Sequence, residues 1–194
     1  MKVISIFGGT GFIGTELINQ LANMPFKIQL FTRNIKKLSR IKKNSKLVLI
    51  EFSEKSDLST KLSGSDVIIN LVGILHETRK DKFLNAHELF VEKLIDISLK
   101  VNIKRVIHIS ALGVNKSPQS KYLLSKYKSE FIIQNNFKMH NWTILRPSIV
   151  FGPNDKFINL FKKMVRFLPV ILLICPKAEF QPIYVNDLVH IVIK

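Results

Sequence analysis

Tyr122 and Lys126 stand four residues apart in the run Tyr122-Leu123-Leu124-Ser125-Lys126. On a helix that spacing puts both side chains on one face. A phenol is a poor acid–base near neutral pH, with an ordinary pKa of about 10, and a neighbouring ammonium favours the phenolate and lowers that value. Ser110, which closes an apolar predicted strand upstream, would hydrogen-bond a substrate oxygen or the phenol. These three are the candidate catalytic residues, and the chemistry they suit is proton transfer. A Tyr-x-x-x-Lys spacing is common by chance, so its weight depends on what else the chain carries.

The start of the chain gives it that weight. The apolar run Val3–Phe7 feeds into Gly8-Gly9-Thr10-Gly11-Phe12-Ile13-Gly14, and Phe12, Ile13, Leu17, Ile18 and Leu21 follow at helical spacing. Strand, glycine turn and helix N-terminus together form an anion site, because backbone N–H groups and the helix dipole both point at a pyrophosphate. Gly8 is expected to make the turn, Gly11 to let the backbone approach the phosphates, and Gly14 to let the helix pack close to the strand. The context on both sides is that of a dinucleotide-binding loop. Together with the Tyr–Lys pair it suggests proton transfer beside a nicotinamide that exchanges hydride.

The end of the second predicted strand bears on which dinucleotide. A NAD site usually places Asp or Glu there for the ribose 2′-hydroxyl. This chain reads Leu30-Phe31-Thr32-Arg33-Asn34, with Lys36 and Lys37 behind. A cation suits a 2′-phosphate, so NADP(H) is expected over NAD(H). The competing reading is a solvated basic face.

The elements that must position these residues alternate at the spacing of a doubly wound α/β sheet. Predicted strands are Val3–Phe7, Lys27–Phe31, Lys46–Ile50, Val67–Val72, Arg105–Ile109 and Trp142–Leu145, and predicted helices lie near Thr15–Asn23, Lys55–Leu62, Lys82–Val101 and Ser120–Asn135. The expected fold is a Rossmann-type parallel sheet over residues 1–150, with residues 151–194 as the start of an incomplete C-terminal substrate lobe. Beyond Pro147 the pattern is broken by Pro153, Pro169, Pro176 and Pro182.

Composition narrows the classes. At 194 residues with 46% hydrophobic and 23% charged residues, the chain suits one folded core and not a disordered segment. Cys175 is the only cysteine, which excludes an intramolecular disulfide and a cysteine-based zinc site. No signal peptide is read at the N-terminus, and the longest other apolar run, Phe167–Cys175, is too short to span a bilayer. The net charge of +16 fits nucleic acid, an anionic membrane surface, an acidic partner or an anionic cofactor, or simply a Lys-, Ile- and Asn-rich coding bias. The segment Lys27–Lys46 holds eight Lys or Arg residues and no acid, but it lacks the interleaved aromatics or reading helix of a nucleic-acid site.

The chain resembles the short-chain dehydrogenase/reductase superfamily in its extended or atypical branch. The resemblance rests on GGTGFIG (8–14), NLVGI (70–74), SALG (110–113), YLLSK (122–126), LRPSIVFGP (145–153) and QPIYVNDL (181–188). Within it the chain is most similar to the nucleotide-binding accessory subunits of respiratory complex I and their bacterial relatives. The resemblance implies that Gly8, Gly11 and Gly14 hold the pyrophosphate, with Thr10, Phe12 and Ile13 lending backbone. It also implies that Arg33 contacts a 2′-phosphate, and that Leu71, Val72 and Gly73 line the adenine ribose. Tyr122 and Lys126 would be the active-site pair, with Lys126 on the nicotinamide ribose and Pro147 and Ser148 in the turn beside the nicotinamide. For Pro147 a plain strand-ending proline is the alternative.

Three departures stand out. Glu51-Phe52-Ser53 replaces an Asp-hydrophobic pair that relatives often use near the adenine, and Ile174-Cys175-Pro176-Lys177 replaces a glycine-rich turn. Extended members also continue past the QPIYVND stretch into a substrate lobe, so a lobe from another chain, or a truncated or split gene product, is expected. Other residues suggest less. His76, His87, His108, His140 and His190 show no metal-ligand spacing, His108 reads as a satisfied core residue, and Asp187 reads as the N-cap of a last helix, Leu188–Ile193.

Two functions follow as expectations. One is a protein that binds NADP(H) in a structural, assembly or redox role among complex I subunits. The other is an NADP-dependent oxidoreductase, epimerase or dehydratase acting on a small polar substrate through Tyr122 and Lys126. The expected place is cytoplasmic, with peripheral attachment to the inner face of the cytoplasmic or mitochondrial inner membrane implied by the complex I likeness. The basic surface and the apolar Phe161–Phe167 and Val170–Ile174 stretches would favour an anionic bilayer or a partner chain.

Overall fold

A computed structural model describes residues 1–35, 38, 40–41, 45–53, 56–115, 120–138, 141–155, 157–167, 177 and 179–194, with Lys163 described by its backbone alone. Lys36, Lys37, Lys55, His140, Pro169 and the stretch Ile174–Pro176 lie outside the described residues. The described chain divides into two compact units, Met1–Arg146 and Pro147–Lys194.

The first unit is a six-stranded, all-parallel sheet made of β1 (Val3–Phe7), β2 (Lys27–Thr32), β3 (Leu47–Glu51), β4 (Val67–Asn70), β5 (Arg105–Ile109) and β6 (Trp142–Leu145). Its strand order is β3-β2-β1-β4-β5-β6, with Ile6 paired to Leu30 on one side and to Ile69 on the other. This is the Rossmann order, and it reverses direction between β1 and β4, where the crevice beyond the strand ends binds ligands. The apolar run of β1 is explained by its central place, because strands covered on both faces carry no polar alternation. Ser5 is the exception, and its hydroxyl is satisfied by Gln29 Oε1 at 2.8 Å and Ser65 Oγ at 2.7 Å.

The helices are α1 (Phe12–Leu21), the short α2 (Ser59–Leu62), α3 (Phe90–Lys100) and α4 (Lys121–Asn136). Val91, Leu94 and Ile95 of α3 pack with Phe7, Phe31, Ile68 and Val106 in the main core cluster. Ser120 caps α4, its hydroxyl accepting from the Leu123 N–H at 3.1 Å. The sequence predicts one helix over Lys82–Val101, but the structure makes a π-helical turn, Leu84–Leu89, before α3. Such turns cluster at functional sites, and this one carries His87 into the interior.

In the second unit, β7 (Val150–Phe151) pairs in parallel with β8 (Ile183–Tyr184), and α5 (Phe157–Phe167) and α6 (Val185–Ile193) complete it. The helix α6 begins earlier than the sequence suggests. Tyr184 occupies its N-cap position, and Asp187 lies inside the first turn. There its carboxylate complements the helix dipole and does not cap.

Candidate functional site

The glycine loop takes the form its composition requires. Gly8 has φ +78°, a left-handed backbone that side chains rarely adopt. The Gly11 N–H closes the turn on the Gly8 carbonyl at 3.0 Å. A Cβ on Gly11 would touch only that carbonyl oxygen and otherwise project into open space. Gly11 caps α1 with no side-chain bond, and no acidic residue lies in the first turn. The first-turn N–H groups of α1, which include those of Phe12 and Ile13, have no intrahelical partner and so are available to an anion.

Two more glycines mark close approaches. Gly14 brings α1 against the loop that follows β1: a Cβ there would lie 2.4 Å from Gly9 Cα and 2.7 Å from the Gly8 oxygen. Gly9, which the spacing assigned no task, seats the loop on the core, where a Cβ would lie 2.4 Å from Leu30 Cδ1. Only the packed structure reveals that close approach.

A groove of about 210 Å³ opens beside this loop, lined by Gly8, Thr10 and Gly11, by Phe31 to Asn34, by Phe52, and by Leu71, Val72 and Gly73. A complete small-molecule site is usually about 300–1,000 Å³, so this groove suits part of a dinucleotide. Phe52, from the departure Glu51-Phe52-Ser53, supplies an aromatic wall beside Phe31, with ring centroids 6.3 Å apart. The turn after β2 is held by Thr32, whose Oγ1 accepts from the Asn34 N–H at 3.1 Å, and this presents Arg33 at the groove. The Arg33 side chain is 63% exposed, and its ion pair among the described residues is a long 3.8 Å contact with Asp81. A larger depression of about 390 Å³ lies elsewhere, between Glu88 and the Tyr127–Ile132 face of α4, and it contains no loop or Tyr–Lys residue.

From Gly73 the groove leads to the Tyr–Lys pair. A Cβ on Gly73 would sit 3.3 Å from Lys126 Nζ and 3.5 Å from His87 Nε2. Lys126 is buried, and its ammonium donates to the Ile109 carbonyl at 2.9 Å. Burial pushes its pKa down to about 8, against a smaller opposite pull from Glu130. Glu130 is itself buried and pairs with Arg146, whose Nε donates to Oε1 at 2.9 Å. The Tyr122 ring lies 5.8 Å from both Phe83 and His87. Its phenol pKa is pushed up by burial. This reverses the sequence expectation of a phenol lowered by Lys126, because helical spacing fixes a shared face and not where the ammonium bonds. The Ser110 hydroxyl is buried at the end of β5 and has no hydrogen-bond partner among the described residues.

The supporting shell was the part that sequence reasoning missed. The Ile74 N–H donates to His87 Nε2 at 3.0 Å, so Nδ1 carries the proton and faces Ser125 Oγ at 2.8 Å. Ser125 in turn donates to the Tyr122 carbonyl at 2.7 Å. Burial, reinforced by Lys126, drives the His87 pKa down to about 3, which keeps the ring neutral in this role. His108, expected as a satisfied core residue, bonds Asn70 Nδ2 at 3.1 Å and Ser129 Oγ at 3.3 Å. Asn70 also accepts from the Val72 N–H at 3.0 Å and thereby shapes the wall after β4. Two histidines thus fasten α4 to β4 and β5; His108, a polar residue in an apolar strand, was legible in the sequence, whereas His87, in a helical segment, was not. Pro147 and Ser148 belong to the second unit. Among the described residues no cluster of His, Cys, Asp or Glu could hold a metal.

Fold and site define a dinucleotide-binding protein, and the chain belongs to the NAD(P)H-binding family, whose model matches residues 8–158. It is 32% identical to the mitochondrial NADH dehydrogenase (ubiquinone) 1 alpha subcomplex subunit 9 of Arabidopsis thaliana, over 95% of this chain and 48% of that one. To the Mus musculus protein of the same name it is 30% identical, over 95% of this chain and 50% of that one. The chain therefore spans about half the length of these relatives. Among solved structures, UDP-glucuronic acid 4-epimerase from Bacillus cereus, in complex with UDP-glucuronic acid and NAD, superposes with a TM-score of 0.83. At 22% identity, covering 100% of this chain and 72% of that one, this likeness carries the fold alone. The resemblance to extended short-chain dehydrogenase/reductases and to the complex I subunit holds.

Proposed function

We propose that this protein holds NADP(H) in a structural, assembly or redox role, in association with complex I subunits. The observation that carries the reading is the groove itself: an uncapped, acid-free helix start beside a left-handed glycine turn, with Arg33 at its mouth. Gly8, Gly11 and the first-turn N–H groups of Phe12 and Ile13 would hold the pyrophosphate. Leu71, Val72 and Gly73 would line the adenine ribose, and Lys126 would reach the nicotinamide ribose. Bound there, the nicotinamide supplies hydride exchange. Arg33 prefers a 2′-phosphate to its long contact with Asp81, because a dianion within hydrogen-bond reach attracts it more strongly. We place the protein in the cytoplasm or peripherally on the inner face of the membrane that carries complex I.

Calorimetric titration with NADPH and NADH tests this reading. NADPH is expected to bind more tightly, and Arg33→Ala to weaken NADPH about tenfold while leaving NADH within about twofold, as suits one exposed charge-assisted contact. Equal affinities overturn the NADP preference, and no binding of either overturns the reading.

A second reading is favoured by the unpartnered, buried Ser110 hydroxyl beside the Tyr–Lys helix. In it the protein is an oxidoreductase, epimerase or dehydratase. Ser110 holds a substrate oxygen, Tyr122 exchanges a proton with it, and Lys126 orients the ribose. Tyr122→Phe then abolishes turnover, by about 100-fold or more. In the binding role the same change leaves NADPH affinity and assembly with partner subunits unaltered.

A further inference from the structure

The helix α5 presents an unusual surface. Phe157, Leu160, Phe161, Met164 and Val165 recur at the spacing of a single helical stripe. That stripe is turned outward: Leu160 is 55% exposed, Val165 65% and Phe167, at the helix end, 74%. The Phe157 and Phe161 rings meet at 5.0 Å, and Phe180, also exposed, extends the patch from Phe157 at 6.4 Å. The opposite arc carries Asn159, Lys162 and Arg166, and the helix contains no acidic residue.

The helix is also preformed. Asp155 Oδ1 accepts from the Ile158 N–H at 2.6 Å, and Asn159 Nδ2 donates to the Asp155 carbonyl at 2.9 Å, which fixes the first turn to the loop after β7. Exposed aromatic and aliphatic side chains on a rigid cationic helix do not suit water. At 11 residues the helix is about 16 Å long, too short to cross a bilayer, and none of the described helices is long and apolar enough to do so.

We propose that α5 is an interfacial helix that lies flat on an anionic lipid bilayer. Phe157, Leu160, Phe161 and Val165 enter the boundary between headgroups and acyl chains, while Lys162 and Arg166 lie against lipid phosphates. Charge complementarity selects this occupant. A cationic arc without acids, on a chain of net charge +16, favours an anionic surface, and the apolar stripe adds attachment that charge alone does not give. The proposal deepens the peripheral placement given above and is independent of dinucleotide binding.

The test uses the whole chain without nucleotide, sedimented with vesicles of phosphatidylcholine alone or with about one-third phosphatidylglycerol. The protein is expected to partition onto the anionic vesicles at least about tenfold better than onto the neutral ones. The combined Leu160→Ser, Phe161→Ser and Val165→Ser variant keeps the charge, and it is expected to lose more than about tenfold in partitioning at an unchanged melting temperature. Equal sedimentation of parent and variant would mean adsorption by charge alone and overturns the proposal. So does a parent that stays in the supernatant, or one that is dimeric in solution and becomes monomeric in the variant, since a second copy then covers the stripe. Phe161→Trp gives a reading that does not depend on the triple variant folding. Its emission should shift to the blue on anionic vesicles and be quenched by brominated acyl chains, and an unshifted, unquenched emission overturns the insertion.

Discussion

Replacing Lys126 with Met is expected to make the protein more stable at pH 7 and a poorer nucleotide binder. In the folded chain the ammonium has a pKa near 8, against 10.5 in water, because burial disfavours the charge. A depression of that size corresponds to about 3 kcal/mol of stability withheld wherever the group is protonated in both states. Met removes this penalty and fills a similar volume, but it strands the Ile109 carbonyl, which Lys126 Nζ now satisfies at 2.9 Å. An unmet buried acceptor costs about 1–3 kcal/mol, so the net gain is about 1 kcal/mol, or about 2–4 °C in Tm for a chain of this length. The sign depends on pH. Below about pH 8 both states of the parent carry the charge, and the Met variant keeps its full advantage. Between pH 8 and 10.5 the folded parent sheds the proton first, its stability rises relative to Met, and the advantage disappears. Thermal melts at pH 7 and pH 10, each with and without NADPH, give the whole pattern. A Met variant that is less stable than the parent at pH 7 would make Lys126 a structural cation and not one strained in the service of a ligand.

That tension between site and stability separates what the sequence made legible from what it did not. The strands and the glycine turn could be read because each follows from local rules. Val3–Phe7 is apolar as a central parallel strand must be, and Gly8 stands where the backbone goes left-handed. The Tyr–Lys pair was legible as a shared helix face, but the direction of the phenol's pKa was not. Sequence spacing placed Lys126 beside Tyr122, whereas tertiary packing gave its ammonium to Ile109 and left the phenol with Phe83 and His87. His87 escaped notice for a similar reason. Its use depends on a π-helical turn in a segment whose apolar spacing suits an ordinary helix, and on Ile74 and Ser125, its partners on either side. Asp81, which lies near Arg33, is remote from it in sequence and likewise could not be anticipated. Local chemistry was readable, and long-range hydrogen-bond assignments were not.

Gly14→Ala is expected to abolish dinucleotide binding through a single methyl group. The added carbon would lie 2.4 Å from Gly9 Cα, 2.7 Å from the Gly8 oxygen and 2.7 Å from the Gly9 carbonyl carbon. All three are backbone atoms of the loop, so no side chain can swing aside to make room. Either the helix start or the turn must move. Overpacking of this kind costs about 1–3 kcal/mol of stability. The larger effect is on the ligand. A displaced turn misaims the N–H groups of Phe12 and Ile13, and losing two charge-assisted bonds at about 1.5–3 kcal/mol each lowers affinity by about 100-fold or more. Gly64→Ala is the matched control. Gly64 also has a left-handed φ of +79°, but its Cβ would meet nothing within 4 Å. That variant should lose about 1 kcal/mol from backbone strain and bind NADPH as the parent does. Melting curves of both variants, with and without NADPH, separate the two costs. If Gly14→Ala retained the parent's nucleotide shift, the loop would not be the phosphate site, however well its glycines fit one.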